Sequence, residues 1–389
     1  MKDKVFRIST VPISLNLLLK GQLRYLNDFY DITAISGPGL DLDEVKIREG
    51  VNTHPIRINR NIHLLNDIIS LIKLYLYFRK HKPLIVHSIT PKAGLLSMIA
   101  AKLAFVPIRV HTFTGLIFPT SSGFFKYLLI NLDRLLCFCA TNIYPEGEGV
   151  KRDLKSYKIT NKPLKIIANG NVNGIDTNFF DSNLFSLGDN SKLKKELAIQ
   201  PNDFVFIFVG RLVGDKGINE LIAAFKKLQS RSSFTFQLSL ILVGPLEPLL
   251  DPLEQKIVEE INNNKNIISV GFKSDIRPYL SISDILIFPS YREGFPNVVL
   301  QAGAMGLPCI VTNINGCNEI IKEGRNGWII PPKDEDAILN SMRNCILERN
   351  KTTIKKSNIR NIIKIKYQQQ LVWNAILTEY KFLRKQLSA

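Results

Sequence analysis

Apolar residues along this chain fall into short continuous runs separated by longer segments with a helical repeat. Runs at 5–8, 31–35, 84–87, 108–112 and 141–144 read as buried strands, and 164–169 reads as a sixth. Between them, 20–28, 61–82, 91–103 and 123–139 carry the helical pattern. A polar stretch at 181–195, rich in Ser, Asn and Gly, interrupts the alternation and reads as a boundary. A second series follows, with strands at 204–209, 238–243, 267–270, 285–288, 309–312 and 328–330 and a helix at 218–230. Strands alternating with helices predict parallel sheets covered on both faces. The expected fold is therefore α/β, two doubly wound Rossmann-like domains over 1–182 and 183–367. A last helix, 368–389, is expected to pack back on the first domain.

Composition keeps that picture and removes alternatives. The chain has 389 residues, 45% hydrophobic and 22% charged, enough for two ordinary domains and too apolar for a disordered chain. The first twenty residues have a charged start but no long apolar core, so a first strand and its loop are expected there, not a signal peptide. No run approaches the roughly 18 uncharged residues needed to cross a bilayer. The nearest, 124–144, is broken by Lys126, Asp133 and Arg134. Five cysteines without CxxC spacing or neighbouring histidines argue for buried thiols, against a disulfide framework or a zinc site. The net charge of +17 calls for an anionic partner or reflects a basic background. No nucleic-acid motif accompanies it, so phosphate-bearing substrates and anionic membrane rank above DNA or RNA.

Two segments carry chemistry. SDILIFPSYREGFPNVVLQAGAMGLP (283–308) reads as a buried strand, a Gly/Pro turn holding Glu293, and a helix opening near Pro296, where a proline costs no hydrogen bond. Such a turn at the C-terminal edge of a doubly wound sheet is an anion site, built from the backbone N–H groups of Phe295, Asn297 and Val298. GRLVGDKGI (210–218) likewise joins a strand to a helix. Gly210 lets a ligand approach the backbone, and Arg211 and Lys216 offer a planar fork and a point charge to the same phosphates. No GxGxxG follows the first strand, which argues against a dehydrogenase.

With GCNE (316–319), VHSITPKAGLL (86–96), HTFTG (111–115) and NGNVNGIDTNFF (169–180), these segments resemble the retaining glycosyltransferases of family four, which have the GT-B fold of two domains facing across a cleft. The resemblance covers essentially the whole chain and is nearest to capsule, O-antigen and exopolysaccharide enzymes. It implies transfer of a sugar from a nucleotide sugar, most often UDP-linked, with retention of configuration and without a cofactor or catalytic metal. Arg211 and Lys216 would neutralise the departing diphosphate and Glu293 would face the donor sugar. Gly210, Gly294, Phe295, Asn297, Gln301 and Glu319 would line the donor site, and Phe272 would border the base. The family usually has Glu where this chain has Gln301, whose amide can still bind a ribose hydroxyl. Many relatives have His where this chain has Thr114, so no general base is assigned. Ser14, His87, Lys92, His111 and Thr114 are acceptor-side candidates, with a satisfied structural role weighing about twice as heavily for each histidine. The expected acceptor is a polyprenyl-diphosphate-linked or oligosaccharide glycan. Basic and aromatic positions in 61–82 and 121–139 suggest peripheral contact with the inner face of the cell membrane, in the cytoplasm. Two rivals remain: a non-hydrolysing UDP-sugar epimerase of the same fold, and a non-catalytic sugar- or nucleic-acid-binding protein.

Overall fold

The computed structural model describes residues 2–61, 63–230, 234–248, 251–348 and 354–387. Residue 62 of the expected 61–82 helix, and residues 1, 388 and 389 of the expected first domain, lie outside the described ones. The chain divides into two compact units, Met1–Gly174 with Gln369–Ala389, and Ile175–Gln368.

The first unit runs β1 (Lys4–Ile8), α1 (Pro12–Leu18), α2 (Gln22–Asn27), β2 (Asp31–Ser36), α3 (Leu40–Glu49) and β3 (Asn52–Pro55). It continues α4 (Leu64–His81), β4 (Ile85–Ser88), α5 (Pro91–Leu103), β5 (Ile108–Phe113), α6 (Gly123–Cys139), β6 (Asn142–Pro145) and α7 (Glu148–Ser156). Its parallel sheet has the order β3-β2-β1-β4-β5-β6. Because successive side chains alternate faces, Phe6 and Ile8 join the core beneath α4, α5 and α6, while Val5 joins the opposite one. The edge strand β3 (Asn-Thr-His-Pro) is partly exposed and has no apolar pattern, so sequence periodicity missed it. The strand expected at 164–169 does not form. Leu164 makes only an isolated bridge to Ile143. The helix expected at 20–28 forms as the shorter α2, which starts after Gly21, and α1 occupies part of what was expected to be the loop after the first strand.

The second unit runs α8 (Leu187–Glu196), β7 (Phe204–Val209), α9 (Ile218–Ser230), β8 (Leu238–Val243), α10 (Gln255–Asn263), β9 (Ile267–Gly271) and α11 (Arg277–Ser281). It continues β10 (Ile285–Phe288), α12 (Asn297–Ala304), β11 (Cys309–Thr312), α13 (Cys317–Ile320), β12 (Gly327–Ile330), α14 (Glu335–Leu347) and α15 (Lys356–Tyr367). Its sheet has the order β12-β11-β10-β7-β8-β9, again parallel. The polar segment read as a boundary holds α8, begun by a capping box in which Ser186 Oγ accepts from the Asp189 N–H at 3.1 Å. Residues 179–181, expected in the first domain, sit in the second unit. Arg360 bonds the Phe180 carbonyl and the Asp181 carboxylate, and Arg277 bonds the Phe179 carbonyl.

The last helix, α16 (Gln369–Gln386), belongs to the first unit. Val372, Trp373, Ile376, Leu377, Tyr380 and Leu383 complete the core on the α1–α3 face of its sheet. Trp373 Nε1 donates to Asn173 Oδ1 at 2.7 Å, and Tyr144 donates to Glu379 at 2.8 Å.

Candidate functional site

In the second unit β7, β8 and β9 run outward one way and β10, β11 and β12 the other. The strand order therefore reverses between β7 and β10. Ligands of open α/β sheets bind at such a reversal, beyond the C-terminal strand ends. Both chemistry-bearing segments leave the sheet there. After β7 the chain passes Gly210 and Arg211, makes a single 3₁₀ turn over Gly214–Lys216, and enters α9 through Gly217. After β10 it forms the turn that holds Glu293 and enters α12 with Pro296 at its N-cap.

One glycine allows these turns to touch, and a second lets the start of α13 close against the Glu293 turn. Gly217 has φ +70°, and a Cβ there would lie 2.2 Å from the Pro289 carbonyl oxygen. Gly316, at the start of α13, has φ +75°, and its Cβ would meet the Gly294 carbonyl oxygen at 2.4 Å and Phe295 Cα at 2.7 Å. Any other residue would be strained and would push the turn away. The Tyr291 N–H donates to the Asp215 carbonyl at 2.8 Å, tying the two loops directly. Arg292 pairs with Asp215 at 3.2 Å.

The result is an ion pair between Lys216 Nζ and Glu293 Oε1, both largely shielded from solvent. Ser290 Oγ donates to the same Glu293 oxygen at 2.8 Å, and Thr312 holds the Ser290 carbonyl. The structure does not bring Arg211 into this pair. Its half-exposed guanidinium meets Glu247, just beyond β8, at 2.9 Å. Of the two basic groups expected together, one lies on the carboxylate and the other on a surface acid.

The remaining donor-side candidates are distributed along the same sheet edge. Gly294 and Phe295 are buried in the turn. Asn297 and Gln301 lie half-buried on α12. Glu319 accepts from the Gly316 N–H at 3.2 Å, a helix-start bond that gives it a local structural role. Phe272, after the edge strand β9, is well exposed.

In the first unit the strand order reverses between β1 and β4. Thr10 and Thr90, just past those strands, bond hydroxyl to hydroxyl at 2.8 Å, and the Ala93 N–H at the start of α5 donates to Thr10 at 3.2 Å. Sequence reading had not singled out this threonine pair. Ser14 is half-buried on α1, and Lys92 pairs with Asp67 at 2.7 Å. Thr114 donates to the Ile89 carbonyl at 2.7 Å.

The histidines have structural surroundings. His87 lies between the Tyr380 hydroxyl at 2.6 Å and Thr112 at 2.8 Å, with no exposed nitrogen to offer an acceptor. Burial, then the nearby Arg7 and His111, hold its pKa well below the ordinary imidazole range. His111 bonds Ser88 at 2.8 Å and packs where a Cβ on Gly94 would come within 2.4 Å of its ring. Burial lowers its pKa to about 3. Their strands, β4 and β5, are inner ones, and both rings are buried. A histidine at a strand end suits a rim as well as a core, so the sequence weighted the structural role without deciding it.

Ser290 and Glu247 are the site residues that motif reading passed over. Ser290 was signalled by its place three positions before Glu293 in the same turn. Glu247 had only a Gly-Pro turn after a strand to mark it.

A family model described as glycosyl transferases group 1 matches residues 189–362, and one described as glycosyl transferase 4-like matches residues 12–144. The chain is 31% identical over 387 residues to the capsular polysaccharide biosynthesis glycosyltransferase CapM of Staphylococcus aureus, covering 99% of this chain and 98% of the relative. It is 32% identical over 356 residues to an Escherichia coli UDP-Gal:alpha-D-GlcNAc-diphosphoundecaprenol alpha-1,3-galactosyltransferase, covering 88% and 89%. Among solved structures, HepE of Anabaena in complex with UDP and glucose superposes with a TM-score of 0.80 at 20% identity, covering 97% of this chain and 99% of that one.

Proposed function

This chain belongs to the group 1 glycosyltransferases, with the GT-B fold, and from that premise we propose that it moves a sugar from a UDP-sugar to a lipid-diphosphate-linked glycan during surface polysaccharide assembly, with retention of configuration. The observation that carries the donor side is the Lys216–Glu293 pair at the strand-order reversal of the second unit. The relatives' names, CapM and the diphosphoundecaprenol galactosyltransferase, support the acceptor class. The UDP and glucose held by HepE support the donor class.

In this reading the donor diphosphate lies over the Gly210–Gly217 turn. Lys216 turns from Glu293 toward the phosphates, and Arg211 leaves Glu247 to join it. That second exchange costs little, since an exposed pair is worth about 0–1 kcal/mol. As the bond from the sugar's anomeric carbon to the phosphate oxygen breaks, its electron pair passes to the diphosphate, where the two cations stabilise it. The acceptor hydroxyl oxygen bonds the anomeric carbon on the same face, and its proton goes to the departing phosphate oxygen. Glu293, released from Lys216 and still held by Ser290, faces the sugar. No cofactor or metal is assigned a step.

A panel of nucleotide sugars screened by thermal shift, followed by transfer to polyprenyl-diphosphate acceptors with the product anomer read by NMR, tests the proposal. A UDP-sugar should raise the melting temperature and yield a retained product. An inverted product ends the retention reading. Conversion of the donor without acceptor would establish the epimerase instead, and no response to any nucleotide sugar would leave a binding protein. Wild-type activity in Arg211→Ala would remove Arg211 from the diphosphate.

A further inference from the structure

A cavity of about 520 Å³ opens within the first unit, walled by the first turns of α4 and α5 and by α6. Ile68, Leu71, Leu95, Leu116, Leu129 and Leu132 give it an almost wholly apolar lining. Its polar groups, Asp133 aside, cluster at the N-terminal turns of α4 and α5. There Lys92 bonds the Asn61 carbonyl and pairs with Asp67, and Arg60 stands exposed. That cluster lies beside the β1/β4 reversal, because α5 begins two residues after β4.

A metabolite with polar groups all round would leave most of its hydrogen bonds unmade against this lining. A bare phosphate would use only the basic end. The complementary ligand has an apolar chain joined to an anion. Around the opening, Leu64, Leu65, Ile69 and Phe124 are exposed, so the apolar surface continues outward onto the faces of α4 and α6. Among the described residues no helix is long and apolar enough to cross a membrane, so these residues form a surface, not a span. Lys126 is turned to the Tyr157 ring and adds nothing to the opening. The one carboxyl deeper in the lining, Asp133, has its pKa pushed up to about 7 by burial, so it is about half protonated at neutrality and less charged against hydrocarbon than an ordinary carboxylate.

We infer that this cavity binds the phosphate-proximal stretch of the acceptor's aliphatic chain, with the attached phosphate over Arg60 and Lys92 and the α5 N-terminus. The inference rests on the lipid-linked acceptor reading above and gives it a place. The cavity selects a single chain bearing a phosphate, so the protein distinguishes its acceptor from free glycans by the lipid as well as by the sugar. Each methylene removed from water multiplies affinity by about four, so even a partly lodged isoprenoid should bind at least about a hundredfold tighter than diphosphate alone.

Isothermal titration of the full chain with farnesyl diphosphate, below its aggregation threshold, and with inorganic diphosphate tests this. Farnesyl diphosphate should bind about 100-fold or more tighter. Ile68→Asp, at an exposed lining position that the fold tolerates, and Leu132→Trp, which fills the cavity, should each lose at least about tenfold of farnesyl diphosphate affinity with diphosphate unchanged. Phe124→Ser, outside the lining, should stay within about twofold of wild type. Equal affinity for the two ligands, or indifference to Ile68→Asp, overturns the inference. Dihexanoyl phosphatidylglycerol binding as tightly as farnesyl diphosphate would make the cavity a phospholipid site and also overturn it. UDP-sugar binding, titrated on the same samples, keeps the failures apart: its presence with chain-independent affinity leaves the transferase reading standing, and its absence removes the reading and the inference together.

Discussion

Lys216 and Glu293 neutralise each other at the end of β10, and their pairing sets what their loss should do. Lys216→Ala and Glu293→Gln should each lower kcat/KM by about 10²–10³, the usual effect of removing a group aimed at developing charge. Melting temperatures should stay near wild type, since the pair closes a turn at the sheet edge and carries no core. A loss of activity matched by a loss of fold would place the pair in structure instead. Asp133 offers a second test. Its carboxyl ionises near pH 4 when unfolded and near 7 when folded. The folded state thus holds the extra proton between those values, and stability falls as pH rises from about 4 to about 7, then stays low. Asp133→Asn should remove that loss, raising stability at pH 8 by on the order of 2 kcal/mol, allowing for the partly exposed side chain, while matching wild type near pH 4. Urea midpoints at the two pH values measure it. Which basic residue meets Glu293 was not legible in the sequence. Arg211 and Lys216 share one loop, and only the path of the chain after β8, which brings Glu247 to Arg211, separates them.

At the scale of elements, the two turns that carry Lys216 and Glu293 are held by backbone approaches that only glycine permits. Gly316→Ala combines a left-handed φ with a 2.4 Å approach to the Gly294 carbonyl. It should cost more than the ~1 kcal/mol of an ordinary strained alanine and weaken UDP-sugar binding, because relief comes by moving the Glu293 turn. Chemical denaturation and titration would show both, and an unchanged donor affinity would mean that the turn keeps its place. The strands and helices of the second unit were largely legible. β7, β8, β10 and β11 and the helix α9 are bounded by glycine, proline and polar turns that end each apolar run where the strand or helix ends. Elements without an apolar stripe were not legible. β3 is Asn-Thr-His-Pro at a sheet edge, and α8 lies in a segment whose polarity imitates a linker. For those, pairing with a neighbour or a capping side chain supplies the order that periodicity does not.

For the whole molecule, α16 decides whether the first sheet has a finished second face. Its buried side chains sit on the α1–α3 core, and Tyr380 hydroxyl contacts both Arg7 Nη1 at 2.9 Å and His87 at 2.6 Å, residues hundreds of positions away. Trp373→Ala should cost about 3–5 kcal/mol. Tyr380→Phe should cost about 1–3 kcal/mol, because it leaves the fully buried Arg7 without its hydroxyl partner. Denaturant curves with near-UV circular dichroism would measure both, and a Tyr380→Phe midpoint equal to wild type would mean that this network carries no stability. What the amino-acid order determined by itself is the succession of buried strands, the two glycine- and proline-marked turns, and the chemical groups they carry, because each is written within a few neighbouring residues. Tertiary structure alone decided that two histidines lie sealed in a core, that Lys216 rather than Arg211 reaches Glu293, and that an apolar cavity opens beside Lys92. Burial, partner choice and empty space depend on elements that meet only when distant parts of the chain are packed together.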